Sequence, residues 1–72
     1  MKEITSDTDI GGLIRSIRIQ RGMSQDALAD TIGTTRTAVA QIERGNNNPR
    51  LENLIKIFEE LGVHIYIEAD VE

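Results

Sequence analysis

The stretch Ser24 to Glu43, SQDALADTIGTTRTAVAQIE, constrains this chain more than any other. Leu28 and Ile32 are four residues apart and stack on one face of a helix. Val39 and Ile42, three apart, give a second helix its own apolar face. Ala29 stands where the two helices must come close, and a longer side chain there would push them apart. Gly33 falls just past Ile32, where helices commonly end with a positive φ that glycine adopts without strain. Ser24 is placed to cap the first helix and Thr35 the second. The pattern therefore predicts two short helices across a tight glycine turn. The second helix turns Arg36, Thr37, Ala40 and Gln41 outward.

That outward set is small and polar, suited to reaching base edges, so the pair of helices has the layout of a DNA-reading unit. A formal net charge of −4 argues against it at first sight, because Lys and Arg supply most non-specific affinity for phosphate. The distribution resolves the conflict. Residues 1–9 carry a net −2, residues 10–50 a net +3 from six arginines, and residues 51–72 a net −5. The chain is basic where the two-helix pattern lies and acidic at its end. The acidic end serves either solubility or docking of a basic partner. In both cases the expectation is tight binding to a specific site and weak binding to random DNA.

At 72 residues there is room for one small domain, which buries only about 60% of its unfolded surface. With no cysteine and one histidine, neither disulfides nor a zinc site can staple the core, which leaves dimerisation as the route to extra stability. No segment has the apolar length of a signal peptide or membrane span, so the expectation is a cytoplasmic, nucleoid-associated protein with no membrane partner. His64, Ser6, Ser16 and Ser24 form no acid–base or nucleophile arrangement, so no catalysis, small-molecule substrate, metal or cofactor is expected.

Around the central pattern the chain divides into three parts. Residues 1–9 read as a flexible polar lead, 10–62 as the DNA-binding domain, and 63–72 as a dimerisation strand with an acidic tail. A first helix is predicted from near Thr8 or Asp9 to Gly22, with Ile10, Ile14, Ile17 and Arg21 at helical spacing. Gly11 and Gly12 either admit another backbone or mark a weak first turn. GNNNP at 45–49 signals a loop. A fourth helix follows over about Leu51 to Leu61, with Leu51, Leu54, Ile55, Phe58 and Leu61 as its apolar stripe and Gly62 as its stop.

Beyond Gly62 the period changes from helical to two. In VHIYIEADVE every odd position is apolar and every even one polar or amphipathic, the pattern of a half-buried strand. A lone strand leaves its backbone groups unpaired. The simplest solution is the same strand of a second copy, paired antiparallel across a two-fold axis, with Val63, Ile65, Tyr66 and Ile67 as the dimer strand.

The runs RGMSQDALADTIGTTRTAVAQIERG and NPRLENLIKIFEELGV resemble the Cro/repressor-type helix-turn-helix domains, often called the XRE family, over about residues 10–62. The resemblance implies a mainly α, four-helix, lambda-repressor-like domain, here with a C-terminal β-strand pairing across a homodimer. By that resemblance Arg36, Thr37, Ala40 and Gln41 would face bases in the major groove. Arg36 would suit guanine, Gln41 adenine and Thr37 a thymine methyl. Ser24, Gln25, Thr35, Arg44, Asn46, Asn47, Asn48 and Arg50 would hold phosphates, with Gln25 also buttressing the recognition helix. Arg18 and Glu43 match an ion pair that these folds bury between the first and third helices. Where Arg50 stands, the family often has a capping Ser or Thr, so the start of the fourth helix lacks that support.

Family members usually continue into a fifth helix, and the strand in its place resembles HipB-type antitoxins. The implied function is a homodimeric, sequence-specific repressor of an inverted-repeat operator on double-stranded DNA. In such type II toxin–antitoxin modules it autoregulates its operon and binds a cognate toxin. A stand-alone phage-type repressor or a restriction–modification controller shares the DNA chemistry without a toxin. A protein inhibitor using the same helices as a docking surface is the reading from another class.

Overall fold

The computed structural model describes residue 4, residues 7–45 and residues 48–70, and forms four helices. These are α1 (Asp7–Gln20), α2 (Gln25–Ile32), α3 (Arg36–Arg44) and α4 (Leu51–Leu61). Helix α1 starts at Asp7, slightly ahead of the predicted Thr8 or Asp9, so the lead expected over residues 1–9 is partly helical. Its end is the expected one in kind. Gly22 takes φ 70° and Met23 N–H donates to the Arg18 carbonyl at 3.1 Å.

Each later boundary has a local cause. Ser24 Oγ accepts from Ala27 N–H at 3.0 Å and Thr35 Oγ1 accepts from Ala38 N–H at 3.1 Å, satisfying donors that the first turns of α2 and α3 cannot. Gly33, at φ 75°, closes α2 while Thr34 N–H returns to the Ala29 carbonyl at 2.9 Å. Arg50 precedes α4 with no side-chain cap.

The core is Ile14, Leu28, Ala29, Ile32, Val39, Ile42, Ile57, Phe58 and Leu61, with Ile10, Ile17, Met23, Leu54 and Val63 packed on its edge. Helix α3 packs on α1 and α2, and α4 on α2 and α1. The predicted stripe of α4 needs correction. Leu51 and Ile55 are exposed, and the fully buried residue is Ile57. Leu54, Ile57, Phe58 and Leu61 satisfy the same i, i+3, i+4, i+7 rule that had pointed to Leu51, Leu54, Ile55 and Phe58. Spacing alone does not choose between two overlapping stripes; contact with α2 and α1 does.

Residues 63–70 form no helix and no strand in the single chain. A strand is defined by its pairing, and among the described residues there is no second strand to pair with. Val63 stays tied to the domain, its N–H donating to the Phe58 carbonyl at 2.8 Å. Ile65, Tyr66 and Ile67 beyond it are exposed.

Candidate nucleic-acid interface

Helix α3 is two-faced. Val39, Ile42 and Glu43 are buried, while Arg36, Thr37 and Arg44 are exposed and Ala40 and Gln41 half-buried. Positions 36, 37, 40, 41 and 44 share one side of a 3.6-residue period. Ala40 in their midst adds no bulk, so a flat partner can approach the helix backbone.

The exposed end of α2 lies beside this face. Ser24 is exposed and its hydroxyl is committed to the cap, while Gln25 is half-buried. Its side-chain amide donates to Glu43 Oε1 at 3.2 Å. Thr35, Asn48 and Arg50 are exposed, and Arg44 stands at the end of α3. Asn46 and Asn47 lie outside the described residues.

Beneath the face runs a buried polar network. Arg18 Nε donates to Glu43 Oε2 at 2.7 Å and Arg18 Nη2 to Glu43 Oε1 at 3.0 Å, a two-pronged pair between α1 and α3. Arg18 Nη1 donates to the Met23 carbonyl at 2.7 Å. The Glu43 hydrogen bonds raise the Arg18 pKa above its ordinary value; burial opposes this and charge attraction adds to it. The Glu43 carboxylate thus joins α3 to α1 and α2, the Arg18 guanidinium adds the α1–α2 corner, and together they fix how the outward face is aimed. The second tie at this corner had no counterpart in the sequence reading. Arg21 Nε donates to the Leu61 carbonyl at 3.0 Å, joining the end of α1 to the end of α4. No spacing rule reaches 40 residues, and only the fold brings these groups together.

The backbone approach left open for the two glycines belongs to Gly11. A Cβ at that position would sit inside van der Waals contact of the Ile42 and Glu43 carbonyl oxygens, so α1 meets the end of α3 at backbone distance. Gly12 faces open space. Between the end of α2 and α4, Asp30, Glu59, Glu60 and Lys56 line a shallow groove to which α3 contributes no residue, so part of the acidic charge gathers there. Among the described residues, no helix is long and apolar enough to cross a membrane.

Residues 14–67 match the helix-turn-helix family HTH_3. An HTH-type transcriptional regulator of Sinorhizobium fredii is 30% identical over 71 residues, covering 99% of this chain and 93% of its relative. The restriction–modification controller protein C.AhdI of Aeromonas hydrophila superposes with a TM-score of 0.76 at 33% identity, over 81% of this chain and 84% of its own. A chain of the HipA–HipB–O2–O3 complex superposes with a TM-score of 0.83 at 25% identity, over 100% of both chains. The paired caps, the glycine turn and the two-faced third helix are thus those of a known class of DNA reader, and the chain belongs to the HTH_3, or XRE-type, helix-turn-helix family of DNA-binding transcription regulators.

Proposed function

We propose that the chain is a homodimeric repressor that reads an inverted-repeat operator, and that it is the antitoxin of a type II toxin–antitoxin module. The observation that carries the DNA reading is the outward face of α3, capped by Thr35 and backed by the Arg18–Glu43 pair. On this reading Arg36, Thr37, Ala40 and Gln41 meet base edges. Ser24, Gln25, Thr35, Arg44, Asn48 and Arg50 grip phosphates, as do Asn46 and Asn47. The tail, anchored to its own core by Val63, pairs with its copy through Ile65, Tyr66 and Ile67 and joins the two heads.

The antitoxin role is favoured by likeness over the whole chain to a chain found together with HipA, O2 and O3. The restriction–modification controller reading draws on C.AhdI, where the likeness extends over 81% of this chain. Both readings share the DNA chemistry and differ in the second partner.

Selection of bound duplexes from a random pool by the purified full chain tests the first part. Enriched inverted repeats with half-sites about 34 Å apart are expected. A pool that stays random would refute sequence-specific reading. Purification from the native operon tests the second. A neighbouring gene product that travels with the chain supports the antitoxin role, and a lone homodimer supports the controller.

A further inference from the structure

We infer that two copies pair their tails in one register, with Tyr66 on the two-fold axis. The inference rests on the dimer reading above and adds what that reading leaves open: which residue meets which.

Symmetry first limits the choices. A two-fold axis perpendicular to a two-stranded antiparallel ribbon leaves each residue on the same face in both copies. Residues directly opposite also share a face. Odd positions therefore oppose odd and even oppose even, so one residue must sit on the axis and oppose itself. The domain sets where pairing begins. The Val63 N–H is spent on the Phe58 carbonyl and its side chain packs on its own core. The free segment starts at His64.

Chemistry then separates the remaining registers. With Tyr66 on the axis, Ile65 opposes Ile67 of the second copy, Tyr66 opposes Tyr66, and His64 opposes Glu68. Ile65, Tyr66 and Ile67 are the exposed large apolar residues of the tail, at 58%, 74% and 89%, and this register pairs them only with one another. The even face then reads His, Tyr, Glu against Glu, Tyr, His, which sets an imidazole N–H donor opposite each carboxylate. With Ile67 on the axis, Ile65 faces Ala69 and Tyr66 faces Glu68. The two Glu68 carboxylates then become diagonal neighbours about 7–8 Å apart. With Ile65 on the axis, Ile67 faces Val63, which the domain already holds. Glu68 on the axis would set two carboxylates face to face.

The chain contains no cysteine, so single-cysteine variants report proximity without background. Full-length Ile65→Cys, Tyr66→Cys and Ile67→Cys proteins are oxidised mildly and the rate of disulfide-linked dimer is read on a non-reducing gel. Glu60→Cys, on exposed α4 surface, is the collision control. Tyr66→Cys is expected to link fastest. An equimolar mixture of Ile65→Cys and Ile67→Cys, which keeps Tyr66, is expected to link several-fold faster than either alone.

A charge swap gives an independent reading. His64→Glu should weaken the dimer several-fold by sedimentation, and adding Glu68→Lys should restore it. Fastest linkage at Ile67→Cys, or no rescue by Glu68→Lys, overturns the register while leaving the ribbon. Linkage no faster than the Glu60→Cys control in a protein that sediments as a dimer overturns the ribbon. A monomer at all concentrations overturns the dimer reading itself.

Discussion

The Arg18 guanidinium grips the Glu43 carboxylate with two N–H···O bonds, of 2.7 and 3.0 Å, across 25 residues of sequence. Both side chains are buried, so removing one partner strands the other away from water. Glu43→Ala and Arg18→Ala should each cost about 3–5 kcal/mol of stability. The apolar double variant Arg18→Met with Glu43→Leu should lose far less than their sum, because it strands no charge. Urea denaturation midpoints decide the matter. Simple additivity would show that the two groups stabilise the fold independently.

Gly11 and Gly12 are neighbours in the interior of α1 and should respond to alanine with opposite signs. Gly12→Ala faces open space and should gain about 0.5–1 kcal/mol from helix propensity. Gly11→Ala must displace the end of α3 and should cost about 1–3 kcal/mol, as overpacking does. Thermal melts of the two variants give the comparison. Equal shifts would mean that α1 and α3 are not held at backbone distance.

That glycine pair also marks how far the sequence can be read. Caps and turns were legible because their partners are three to five residues away: Ser24 to Ala27, Thr35 to Ala38, Gly33 to Asp30 and Thr34 to Ala29. What depends on a distant neighbour was not. Nothing local distinguishes Gly11 from Gly12, and the outer residues Leu51 and Ile55 of α4 fit a helical stripe as well as Ile57 does. The Arg18–Glu43 pair was legible only through the family resemblance. The resemblance also gave Gln25 its buttressing of the third helix, which its amide performs by donating to Glu43. The side of α3 that carries Arg36, Thr37 and Arg44 was readable, because one helix period and one cap define it, while Ala40 and Gln41 on the same side are half-buried.

Thr35 has one role visible in the fold and a second that we propose on DNA, and two substitutions separate them. Thr35→Ala removes the acceptor for Ala38 N–H and should cost about 1 kcal/mol. Thr35→Asp keeps a capping oxygen, so stability should hold while the added negative charge repels a phosphate. Melting and operator titration, run on both variants, should rank them in opposite orders. The same ranking in both assays would remove Thr35 from the interface.

Arg36 and Arg44 lie eight residues apart on the same side of α3, and their roles on DNA should differ in kind. Arg36→Ala should cost about 1–3 kcal/mol and relax preference at one base position. Arg44→Ala should weaken all sequences alike and reduce the salt slope of binding by about 1. Competition with single-base operator variants, repeated across a salt series, separates the two. Uniform loss for Arg36→Ala would make it a phosphate contact.

Arg50 precedes α4 in a capping geometry, φ −66° and ψ 141°, yet supplies no cap bond. An arginine carries only donors, and the orphan groups at a helix N-terminus are themselves donors. The fold therefore forgoes a stabilising contact there, and the phosphate grip we propose would account for a cation at this position. Arg50→Asp should supply the missing acceptor and raise stability by about 0.5–1 kcal/mol, with further help from the helix dipole. The same change should weaken operator binding and shallow its salt dependence, since a phosphate partner is replaced by a like charge. Stability and affinity moving in opposite directions identify Arg50 as a residue kept for DNA. If the variant gains stability with operator affinity unchanged, Arg50 lies outside the interface.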